Sequence, residues 1–115
     1  MKFDLDPFLP LSPPTLHILL SLAGEDLHGY HIMQEVARQS DGKYKLGPGT
    51  LYDNLQRLLD QGLIEEVAGE AGTDSRRRYY RLTRLGRAVL AADITRLEEI
   101  VRHARVHLPN PRSAS

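Results

Sequence analysis

Residues 47–64 read GPGTLYDNLQRLLDQGLI, and the reading of this stretch decides the fold. Leu51, Leu55 and Leu58 recur at the i, i+4, i+7 spacing of one buried helix stripe, and Gly62 follows as a C-terminal stop. At about 100° per residue, Thr50, Asp53 and Arg57 fall opposite that stripe, with Tyr52 and Asn54 on its flanks. The exposed face thus carries hydrogen-bonding groups toward its N-terminal half. Gly47, Pro48 and Gly49 stand in front of it. A glycine beside a helix N-terminus lets a phosphate approach backbone N–H groups that have no intrahelical partner.

Upstream, Ser12 is an N-cap with Pro13 in the first turn, opening a helix that runs to about Ala23 with apolar residues all round its axis. GEDLHGY (24–30) is a turn into a second helix, striped by Ile32, Met33, Val36 and Ala37 and ending near Ser40. Asp41-Gly42 is a turn signal, and KYKL (43–46) is an extended link. Downstream, LIEEVA (63–68) reads as a strand, GEAGTDS (69–75) as a polar loop, and RRRYYRL (76–82) as the returning strand. Thr83 caps a long fourth helix to about His107. The expected fold is mainly α with a two-stranded β-wing: a winged helix-turn-helix with a long C-terminal dimerisation helix. The expected organisation is an N-terminal arm (1–11), the winged domain (12–83), the dimerisation helix (84–108) and a disordered tail (109–115).

The 115 residues fit one domain, and the absence of cysteine excludes disulfides, thiolate metal sites and thiol chemistry. No apolar run approaches the ~18 residues of a membrane span, and the acidic start does not read as a secretory signal, so a cytoplasmic protein is expected. The net charge of zero conceals an asymmetry. Residues 1–42 hold two basic and six acidic groups, and residues 43–87 hold nine basic and six acidic groups. Such a pattern can orient a molecule on a polyanion.

In a helix-turn-helix, the first turns of the third helix enter the major groove. Gly49 and Thr50 then meet phosphate or base, Asn54 suits adenine and Arg57 suits guanine, while Lys43 and Lys45 suit phosphates. Asp53 either accepts from a cytosine amino group or pairs with Arg57 four residues on; the pairing is preferred. Arg76, Arg77 and Arg78 gather at the hairpin tip, where like charges repel unless an anion meets them. The partner these features favour is double-stranded DNA. The competing reading is a winged-helix module whose arginines bind an acidic protein.

On the fourth helix, Leu90, Ile94, Leu97, Val101, Ala104 and Leu108 are spaced as an a/d seam, whereas Leu85, Val89 and Ala92 form a second stripe nearer its start. The second stripe is assigned to the winged domain and the seam to a second copy. Phe8, Leu9 and Leu11 of the arm are further candidate dimer contacts. Glu99, His103 and His107 share a helix face, but no cysteine and no pattern of groups to orient the imidazoles supports a metal site. No cofactor is expected, and no nucleophile or phosphate-loop motif is present, so an enzyme is not expected.

The chain resembles the PadR family of bacterial transcriptional regulators in its short form. LHGY (27–30), GTLY with its following leucines (49–58), GLI (62–64), RRYYRLT (77–83) and GRAVL (86–90) occur in the family's order and spacing. The resemblance implies a homodimer, repression by operator binding and, in many members, release by a small, often aromatic or hydrophobic effector. It also places Tyr30 and Tyr52 near the DNA backbone; the other role open to each is a tyrosine at the core edge. Asp53 stands where the family often has proline, and His31 where an acidic residue is common.

Overall fold

The computed structural model describes residues 4–68 and 78–108. A 3₁₀ turn, Asp6–Phe8, lies in the arm. It is followed by α1 (Pro13–Ser21), β1 (Leu27–His28), α2 (Gly29–Gln39), α3 (Pro48–Asp60), β2 (Ile64–Val67), β3 (Tyr79–Leu82) and α4 (Arg84–His107). This is a winged helix-turn-helix continued by one long helix. Ser12 caps α1 by accepting from the Thr15 N–H at 3.4 Å. α1 stops at Ser21, two residues before the expected end, where the Ser21 hydroxyl donates to the Ile18 carbonyl at 2.6 Å. At the predicted turn after α2, Asp41 and Gly42 both take positive φ, at 52° and 77°.

The wing has one more strand than the sequence suggests. Leu27 and His28 pair antiparallel with Tyr80 and Tyr79, giving the order β1-β3-β2. A strand of two residues is too short to show alternation, and only its distant partner defines it. Glu66 faces Tyr80 and Ile64 faces Leu82 across the hairpin. Tyr80 and Leu82 point inward and Arg81 outward, as the period of two requires.

The core gathers Ile18 and Leu19 from α1, Ile32 and Val36 from α2, Leu51, Leu55 and Leu58 from α3, and Val89 from α4, all essentially inaccessible. Leu90, assigned by its spacing to the seam, is also buried in the chain's own core. It lies in the part of α4 that still crosses the domain, and that packing overrides the heptad pattern. Phe8, Leu9 and Leu11 pack partly buried against this same core, so some of the surface proposed for a partner is already covered.

The junction between wing and α4 is closely made. Gly62 takes φ 74°, a conformation that favours glycine. The Thr83 hydroxyl donates to the Gly62 carbonyl at 2.6 Å and accepts from the Gly86 N–H at 3.0 Å. A side chain at Gly86 would collide with the Leu63 carbonyl oxygen. Asp93, wholly buried, accepts from the Arg96 Nε–H at 2.8 Å.

Candidate nucleic-acid interface

Gly47 is the N-cap of α3 and offers no side-chain hydrogen bond to its first turn. The N–H groups of Gly49 and Thr50 are therefore available to an outside acceptor. Gly47, Pro48, Gly49 and Thr50 are all exposed. A Cβ added at Gly47 or Gly49 meets nothing within 4 Å, so packing inside the chain does not demand either glycine. Lys43 and Lys45, on the link leading into α3, are exposed as well.

The side chains behind this opening form a chain along α3. Asn54 Nδ2 donates to the Thr50 carbonyl at 2.8 Å, and the Arg57 guanidinium donates to Asn54 Oδ1. Arg57 thus turns to Asn54 three residues back, and the preferred pairing with Asp53 is not formed. The i−3 direction brings the guanidinium to a neutral acceptor whose other end is already tied to the backbone. Asp60 is likewise engaged, accepting from Gln56 at 2.9 Å.

Tyr30 is 62% exposed, at the first turn of α2. Tyr52 lies half-exposed over the start of that helix, so that a Cβ at Gly29 would sit 2.5 Å from its hydroxyl. Both tyrosines therefore flank one junction between α2 and α3. On the wing, Arg78 is exposed and 3.5 Å from Glu66, a loose surface pair that leaves most donors free. Arg76 and Arg77, like the GEAGTDS loop and the tail, lie outside the described residues.

Arg81 has a different task from the tip arginines. It forks onto Asp26 at 2.8 and 3.1 Å, tying β3 to the loop before β1, and this hydrogen bond raises its guanidinium pKa further above the usual range. Burial pushes the Tyr80 phenol up, and the Glu66 carboxylate adds to the effect. The sequence reading missed the cap of α2, where His28 Nδ1 accepts from the His31 N–H at 3.3 Å. The residue before Gly29 carries a side-chain acceptor, which was the available signal. Among the described residues, no three His, Asp or Glu side chains are placed to hold a metal ion, and no helix is long and apolar enough to cross a membrane.

An open helix front, flanking lysines and an adjoining β-hairpin make this a winged-helix protein. Comparison with known proteins gives the family. Residues 18–92 match the transcriptional regulator PadR-like family. The chain is 43% identical over 88 residues to the transcriptional regulator Rv3488 of Mycobacterium tuberculosis, covering 76% of this chain and 78% of that protein. A PadR family regulator from Clostridium difficile shares the fold at TM-score 0.70 and 24% identity, over 84% of this chain and 99% of that one. Bacillus subtilis PadR in complex with operator DNA aligns at TM-score 0.61 and 25% identity, over 72% of this chain and 46% of that one. The chain belongs to the PadR-like family: it is a transcriptional regulator with a DNA-binding fold, and not an enzyme.

Proposed function

We propose that the protein is a cytoplasmic repressor that binds a palindromic operator as a homodimer and releases it when a small ligand binds. Gly49, Thr50, Asn54 and Arg57 enter the major groove. Lys43, Lys45, Tyr30 and Tyr52 hold the flanking phosphates, and Arg76, Arg77 and Arg78 hold the backbone beside the wing. The observation that carries this reading is the uncapped front of α3, where no packing among the described residues requires Gly47 or Gly49. The operator-bound B. subtilis structure supports it by analogy.

The second copy is argued from α4. Its distal half leaves Ile100, Val101, Val106 and Leu108 exposed, Val106 and Leu108 by 76% and 67%. Isolated exposed aliphatics are ordinary, but Val101 and Leu108 fall on the same helix face as Ile94 and Leu97, and such a stripe calls for a cover. Beside them runs an apolar groove of about 510 Å³, walled by Leu20, Leu82, Leu90 and Ile94. Two such chains related by a two-fold axis can cover each other's stripe. Ile94, Leu97, Val101, Ala104 and Leu108 form the seam in this reading.

The test is a gel shift with the DNA upstream of the protein's own gene. A discrete complex is expected, weakened by Arg57→Ala and by alanine at Arg76, Arg77 and Arg78. Wild-type affinity in those variants, with unchanged far-UV dichroism, rejects the site; failure to shift any inverted repeat rejects the function.

A further inference from the structure

The link between α2 and α3 alternates in exposure. Lys43 and Lys45 are exposed, whereas Tyr44 and Leu46 are half-buried and pack against the core. Successive side chains thus point to opposite sides, so whatever fixes Tyr44 also fixes the direction of both lysines. Tyr44 is held at two points. Its backbone N–H donates to the Ser40 hydroxyl at 3.0 Å, and that hydroxyl donates in turn to the Val36 carbonyl at 2.8 Å. Its ring lies against the His17 ring of α1, with centroids 5.5 Å apart and planes inclined by 41°, within the range of favourable aromatic pairs. His17 Nδ1 donates to Oε1 of Gln39, the last residue of α2, at 3.1 Å. One half-buried histidine thereby joins α1, the end of α2 and the link.

We propose that His17 and Gln39 are positioning residues for DNA binding. They clamp Tyr44 and, through it, keep Lys43 and Lys45 turned outward beside the front of α3 before a duplex arrives. Both act through Tyr44 rather than by touching the duplex. The physical gain is preorganisation. A free link loses backbone and side-chain freedom when its lysines settle on phosphates, and a link already anchored has less to lose. The link also ends at Gly47, the N-cap of α3, so the clamp bears on the same helix front. A contact that merely stabilised the fold would act whether or not the lysines were present; a positioning contact acts only through them. The effect on DNA rests on the operator-binding reading, whereas the clamp itself does not.

A double-mutant cycle on the full chain tests this, with the DNA upstream of its own gene as the duplex. His17→Ala should weaken the complex about three- to tenfold, roughly the ordering cost of one long side chain. In a chain that also carries Lys43→Ala and Lys45→Ala, the same change should alter affinity by less than about twofold, because nothing remains to be positioned. Gln39→Ala removes the hydrogen bond without opening the core and should show the same dependence on the lysines. Tyr44→Phe keeps the ring and should restore the affinity that Tyr44→Ala loses. Equal losses from His17→Ala in both backgrounds overturn the proposal. A second arm needs no DNA. In the free chain, His17→Ala and Gln39→Ala should speed amide hydrogen exchange at Tyr44 relative to Leu55 in α3; unchanged protection overturns the clamp. If no duplex binds at all, the operator reading fails and the exchange arm alone decides the clamp.

Discussion

The backbone N–H of Leu11 donates to the carboxylate of Asp93, 82 residues further along the chain, at 3.4 Å. The same oxygen accepts from Arg96, whereas Asp93 Oδ2 has no hydrogen-bond partner among the described residues. One buried carboxylate therefore fastens the N-terminal arm to α4 and holds an arginine of its own helix.

Asp93→Ala strands the Leu11 N–H and loosens the arm, and should lower stability by about 1–3 kcal/mol. Asp93→Asn keeps the accepting oxygen and places an amide where the unpartnered oxygen stood, so its loss should be clearly smaller. Urea unfolding at matched protein concentration measures both. Equal losses in the two variants would show that the hydrogen bond to the arm contributes little.

Two glycines should respond in opposite ways to alanine. At Gly86 the new methyl group meets the Leu63 carbonyl oxygen, which already accepts from the Thr83 N–H at 3.1 Å and has little room to shift. Overpacking of this kind costs about 1–3 kcal/mol and occasionally more, so Gly86→Ala should melt well below the parent. Gly49→Ala meets nothing and should melt at or slightly above the parent, yet bind DNA more weakly. Thermal denaturation beside a gel shift separates the two effects.

Lys43 and Lys45 are exposed. If each meets a phosphate, removing both should weaken all duplexes alike and reduce the slope of log affinity against log salt by about one per lysine. A loss confined to one operator sequence would instead assign them to base reading.

The exposed stripe on α4 makes a prediction about assembly. Val101→Asp places a charge at a half-exposed position of the distal helix. It should shift the protein from dimer to monomer in light scattering without loss of helicity. A parent that is already monomeric at micromolar concentration removes the seam from consideration.

Much of this architecture was legible because local chemistry and tertiary packing agree. The Leu51, Leu55, Leu58 stripe, the Ser12 and Thr83 caps and the stop at Gly62 all lie where local rules put them. β1 was not legible, because Leu27 and His28 become a strand only through Tyr80 and Tyr79, more than fifty residues away. Leu90 was misassigned for a related reason: a heptad spacing does not say where a helix leaves its own domain. Asp93 is wholly buried and takes the Leu11 N–H from the arm, a contact across 82 residues that no local pattern announces. At the candidate site, the exposed face of α3 was readable from periodicity. The partnership of Arg57 with Asn54 was not, since both Asp53 and Asn54 lie within reach along the helix.

The Thr83 hydroxyl, shared between Gly62 and Gly86, leaves no slack where the hairpin meets the long helix. If two copies pair as proposed, the two reading heads would be fixed in angle as well as in separation. Such an assembly would gauge the rotational phase of the double helix. Inserting half a turn of duplex between the two halves of its target carries one of them to the far side of the cylinder, however well each half is spelled.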